Sequence, residues 1–199
     1  VAKIKRYAIL TPFARADVVA AIAALHRLDV YVLATKSGAL IVREMPVEQY
    51  DEWDIRNITG PDESDETPKE PSDDGHAVAE VFSKLSKYGV VLMIVDLSDT
   101  EGFEEGVSGL VRARRYMAGK SGEDIPAGLL LNAVDPVIER VILGEVKPQD
   151  QGAISAIALE ANDVADLLNL SGANGDSKSG GAGESHKKRR FFGRNKGNE

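Results

Sequence analysis

The order in which two hydrophobic periods alternate constrains this chain more than any motif does. Residues 3–98 read as strand, helix, strand, strand, helix, strand. Tyr7-Ala8-Ile9-Leu10 is a short apolar strand, ended by Thr11-Pro12. Ala16 to Leu28 is Ala-rich and puts Val18, Val19, Ile22, Leu25 and Leu28 on one helical stripe. Residues 29–35 are β-branched and aromatic, Ser37-Gly38 is a hairpin signal, and residues 39–43 run back as a third strand. A second helix is expected near His76, with Ala77, Val81, Leu85 and Tyr88 on its apolar face and Gly89 at its end. Val90 to Val95 is an unbroken apolar run, read as a fourth strand.

The β-α-β-β-α-β order predicts an α+β fold with a ferredoxin-like core over residues 1–98: two helices on one face of a four-stranded antiparallel sheet. In that core the first and third strands are central, yet here the fourth is the most continuously apolar. A further element from residues 99–170 is therefore expected to cover its outer side. That extension reads as mainly helical. Ser98-Asp99-Thr100-Glu101 looks like a capping box, Phe103 to Met117 like a helix ended by Gly119, and Asp135-Pro136 like another helix start. Residues 128–134 fit a fifth strand, so the runner-up is a single five-stranded α/β sheet. Residues 153–168 read mainly as helix, with a short strand at 154–159 as the alternative.

Charge divides the chain differently. The net charge is −8, but residues 48–74 hold 11 acidic and 2 basic side chains, and residues 171–199 hold 3 acidic and 7 basic. The rest is close to neutral. The acidic insert, 48–74, interrupts the core with three prolines, Pro61, Pro68 and Pro71. Its second half is expected to be mobile and removable. The Gly/Ser-rich tail from residue 171 is expected to be disordered.

Cysteine is absent, which excludes disulfides and thiolate chemistry and suits a cytoplasmic location. The N-terminal residues do not read as a secretory signal. Gly119-Lys120-Ser121 lacks the upstream glycine and the preceding strand of a phosphate loop. Neither histidine-based ligand spacing nor a nucleophile elbow occurs, so no catalytic residue, metal or cofactor is assigned. A pocket built from His76, Asp96, Asp99 and Arg112 is the remaining candidate for chemistry. Arg112, Arg114, Arg115 and Lys120 are read as the basic end of a helix.

Two segments look made for contacts. Lys187, Lys188, Arg189, Arg190, Phe191, Phe192 and Arg194 join cations to adjacent aromatics. Such a tail suits another protein, or weak contact with an anionic membrane or nucleic acid. Tyr50, Trp53 and Ile55 form an acidic-aromatic motif that either docks at home or recognises a partner. The expectation is a non-catalytic interaction or regulatory module working through flexible charged segments. The alternative is an enzyme with a dispersed site lidded by the 48–74 loop. An open sheet face would further make the protein a homodimer.

Overall fold

The computed structural model describes residues 5–45, 70–96 and 111–173, with only the backbone of Asp96 and of residues 170–173. Seven strands form one antiparallel sheet: β1 (Lys5–Leu10), β2 (Tyr31–Thr35), β3 (Gly38–Met45), β4 (Val90–Asp96), β5 (Val111–Met117), β6 (Lys120–Ile125) and β7 (Ile154–Ser155), in the order β6-β5-β4-β1-β3-β2-β7. Among the described residues the α-helices are α1 (Ala16–Leu25), α2 (Gly75–Ser83), α3 (Ala127–Ala133), α4 (Pro136–Ile142) and α5 (Ala161–Ala173). The class is α+β.

Side-chain alternation along the strands sorts the apolar residues into two cores. Tyr7, Ile9, Val32, Ile41, Val90, Leu92 and Tyr116 face α1 and α2, where Val19, Ala20, Ala23, Val78 and Phe82 meet them. Ala8, Leu33, Leu40, Val42, Met93, Val95, Val111 and Ala113 face α3 and α4, against Leu131, Ile138, Val141 and Ile142. Strands covered on both faces have no polar side to show, which is why β1, β3 and β4 read as near-continuous apolar runs. A fully buried side chain such as Phe82 contributes about 1.5–3 kcal/mol. The fourth strand is apolar because β5 pairs along it, from Val90 opposite Tyr116 to Val95 opposite Val111.

Several sequence expectations need correction. The described part of the extension also joins the sheet, adding β5 and β6 at one edge and β7 at the other. The expected helix ending at Gly119 is, in its described part, strand β5. Ala118 and Gly119 both have positive φ, 50° and 78°, and form a two-residue hairpin turn, the primed geometry that matches strand twist. The expected fifth strand at 128–134 is helix α3, where Leu131 is buried and Leu129 is 71% exposed. The five-stranded α/β alternative falls with it.

The two helical stripes also shift. α1 buries Ala16, Val19, Ala20, Ala21 and Ala23, so small side chains let it lie close to the sheet, while Leu25 is exposed. α2 buries Gly75, Val78, Ala79, Phe82 and Ser83 and stops at Ser83, so Leu85 and Tyr88 are outside the helix and exposed. The sheet face whose exposure favoured a homodimer is covered by α3 and α4. α5 carries the helix to Ala173, past the expected start of the tail at 171; residues 174–199 lie outside the described residues.

Candidate interaction surface

The end of the acidic insert is braced to the sheet. Arg43 on β3 lies opposite Tyr7 on β1. Its guanidinium pairs with the Asp29 carboxylate, donates to Asp73 at 3.1 Å and donates to Glu70 at 3.0 Å. Burial opposes the Arg43 charge, and the Asp29 and Asp73 carboxylates more than offset it, so its pKa lies above the ordinary value. Beneath, the Tyr7 hydroxyl donates to the Ser72 carbonyl at 2.5 Å, and Ser72 Oγ accepts the Asp29 amide at 2.8 Å. Burial holds the Tyr7 pKa far above the usual phenol range, so this donor keeps its proton. Ser72 is 2% exposed, and Pro71–Asp73 forms a 3₁₀ turn. The expectation of a mobile segment therefore fails for residues 70–74.

The residues proposed for chemistry are not gathered into a cleft. Asp74 caps α2 by accepting the His76 and Ala77 amides at 3.0 Å each. His76 Nδ1 touches the Tyr116 hydroxyl, with ring centroids 6.1 Å apart. Burial raises the Tyr116 pKa, which keeps this phenol a hydroxyl. Arg112 and Arg114 share the α2 face of β5 with Tyr116, four and two positions before it along the pleat. They stand on a strand, correcting their expected place at a helix end. Arg114 is held by Asp124 at 2.6 Å, and Arg112 is exposed. Asp96 ends β4, its backbone opposite Lys5, and Asp99 lies outside the described residues. Among the described residues no group of three His, Asp or Glu side chains converges as a metal site. Two clefts among the described residues bear on this, and neither includes His76, Asp96 or Arg112.

The larger cleft, about 560 Å³, lies where β1 begins and β3 ends, with Arg6, Tyr31, Glu44 and Lys147 on its walls. Arg6 is 3% exposed; its Nη atoms donate to the Val141 carbonyl and to Glu44, tying α4 to the sheet, and its Nε has no hydrogen-bond partner among the described residues. In the sequence Arg6 directly follows Lys5, and nothing in that basic stretch singles it out as a buried side chain.

The smaller cleft adjoins a surface of a different kind. After α2 ends, the chain crosses Lys84 to Gly89 beside the β5–β6 turn. The Gly119 amide donates to Ser83 Oγ at 2.8 Å, and the Lys84 side chain lies across Gly119. Met117 rests on Gly89, Arg115 donates to the Tyr88 carbonyl at 3.2 Å, and the Lys87 ammonium sits 4.9 Å from the Tyr88 ring centroid. Leu85, Tyr88 and Met117 are 48%, 62% and 44% exposed, three of the six large apolar side chains left in water among the described residues. Lys84, Lys87, Arg115 and Lys120 are exposed around them, and none pairs with a carboxylate among the described residues. This surface was hidden from sequence reading because Leu85 and Tyr88 were assigned to the buried face of α2. The signal that finds it is the run Lys84-Leu85-Ser86-Lys87-Tyr88 ahead of Gly89, where cations and turn formers interrupt the helical stripe.

Tyr50, Trp53, Ile55 and the cationic tail residues Lys187 to Arg194 lie outside the described residues. Among the described residues no helix is long and apolar enough to cross a membrane. Fold and surface together define an α+β protein with an antiparallel sheet covered on both faces and a basic, apolar surface at one end. Comparison with protein-family models, with curated proteins and with solved structures finds no match.

Proposed function

We propose that this protein is a non-catalytic interaction module built on a ferredoxin-like core, contacting other macromolecules through charged segments and the surface around Tyr88. The strand order β4-β1-β3-β2, with α1 and α2 on one face, supports the ferredoxin-like reading; β5–β6 and β7 extend that core at its edges. The observation that carries the function is the clustering of exposed Leu85, Tyr88 and Met117 with four cations that pair with no carboxylate among the described residues. Contiguous exposed apolar area marks interaction sites, and tyrosine, methionine and arginine are enriched at protein interfaces. The charged segments at 48–69 and 174–199 are further contact points on this reading, with another protein as the principal partner. The lack of cysteine supports a cytoplasmic setting.

A photo-crosslinking residue placed at Tyr88 tests this in cells expressing the full chain. Adducts with a defined partner are expected at Tyr88 and not at Leu129, which is exposed on a different element. Equal adduct patterns at the two positions would contradict the reading.

A further inference from the structure

The cleft beside Tyr88 holds about 230 Å³ and is the part of the second sheet face that α3 and α4 leave open. Its floor follows the strand pairing: Leu10 lies opposite Val91, and Val91 opposite Arg115. Leu10, Val91 and Ile125 are each half-buried against the second core, so the floor is apolar and supported from below. Arg115 and Tyr88 form one wall. Pockets that enclose small-molecule ligands measure about 300–1,000 Å³. This cleft is smaller and open, suited to one large side chain presented by a longer ligand. Arg115 lines it, the Lys87 ammonium lies over the Tyr88 ring at its wall, and Lys120 and Lys84 stand at the neighbouring β5–β6 turn.

We propose that this cleft is the docking site for an acidic peptide segment of a partner protein. One large apolar side chain seats on Leu10, Val91 and Ile125, and flanking carboxylates pair with Arg115, Lys87 and Lys120. The proposal rests on the interaction reading above and adds the partner's chemistry. Charge complementarity selects the acidic ligand, since four cations lie together on a chain of net charge −8. The same net charge disfavours an anionic bilayer, because a broad surface meets the repulsion of the whole molecule. A peptide feels the local cations within a screening length of about 8 Å. The concavity points the same way, because it receives a projecting side chain.

A fluorescein-labelled peptide with one leucine among aspartates and glutamates is the probe, read by anisotropy with the full chain. Two controls replace its leucine by glycine, or its acids by their amides. Saturable binding of the acidic leucine peptide is expected, about tenfold weaker for each control. It should weaken at least as much with Lys87→Glu plus Lys120→Glu, both exposed and outside the cores. Tyr88→Ser should also weaken it, Leu129→Ser should not, and about 1 M salt should abolish it. Absence of binding, or equal binding of all three peptides, overturns the proposal, while adducts at Tyr88 would still uphold the interaction reading. If phosphatidylserine vesicles bind instead and the charge reversals release them, the ligand is a membrane and the peptide assignment is wrong.

Discussion

The Asp135 carboxylate accepts the backbone amide of Lys36 at 3.0 Å, across 99 positions of sequence. Next to it, the Asp135 amide donates to Ser37 Oγ at 2.9 Å. Asp135 also caps α4 by accepting the Val137 amide at 3.2 Å. One side chain therefore fixes the helix start and fastens it to the β2–β3 hairpin.

The two amides, of Lys36 first and Val137 second, hold the Asp135 carboxyl below its ordinary pKa. Folding thus favours the ionised form. Its contribution is complete above the unfolded carboxylate pKa of about 4 and disappears as pH falls through the lower folded value. Asp135→Ala should lower stability by about 1–2 kcal/mol at neutral pH. In urea melts the gap between wild type and variant should narrow below about pH 4. A gap constant down to strong acid would show that the carboxylate is not the stabilising group.

Arg43→Met removes the common partner of Asp29, Glu70 and Asp73. A loss of about 2–4 kcal/mol is expected, since three carboxylates lose their counterion and two of them are partly enclosed. Amide exchange should accelerate first at Ser72 to Gly75, before the central strands. Uniform acceleration would mean that the brace is no separate unit.

Tyr7→Phe leaves the ring in the first core and deletes only its bond to the Ser72 carbonyl. A cost of about 1–2 kcal/mol is expected, because the carbonyl stays buried without its donor. Deleting residues 70–74 together should cost several degrees in melting temperature. A melting temperature unchanged by that deletion would disprove the brace.

Gly38 has φ of 126°, and a Cβ there would stand 2.0 Å from the Thr11 carbonyl oxygen. Gly38→Ala therefore forces both a strained dihedral and a backbone displacement. A loss above about 3 kcal/mol is expected from chemical denaturation. A loss below 1 kcal/mol, or about that, would require the hairpin to relocate without harm.

With both sheet faces covered except at the cleft beside Tyr88, sedimentation at micromolar concentration should find a monomer. A dimer would place the interface on the Tyr88 surface or on segments beyond the described residues, and Tyr88→Ser would then distinguish these.

Strands β1 to β4 were legible because each is a compact apolar block bounded by a turn signal. β5 was misread for a physical reason. Leu110, Val111 and Met117 fall at helical spacing with Val107, and three arginines resemble the basic end of a helix. The alternation Val111-Arg112-Ala113-Arg114 carried the correct period, but the buried side chain then changes face, from Val111 and Ala113 in the second core to Tyr116 in the first, so the apolar pattern breaks at Arg115. For Leu129-Leu130-Leu131, a short apolar run does not distinguish strand from helix, and Pro126 was the overlooked clue to a helix start. The surface around Tyr88 depended on where α2 stops, and helix ends are the least determined feature of a sequence pattern.

The position of β1 sets the order in which this chain assembles. Among the described strands the earliest in the chain is the centre of the sheet, and its two partners, β3 and β4, are made later, with Lys5 ultimately beside Asp96. The β2–β3 hairpin and the β5–β6 hairpin close locally, but neither can join the other until β1 and β4 have met across a long loop. Folding is therefore governed by a distant pairing and slowed accordingly. On the ribosome, β1 waits with one edge unpaired until β4 emerges.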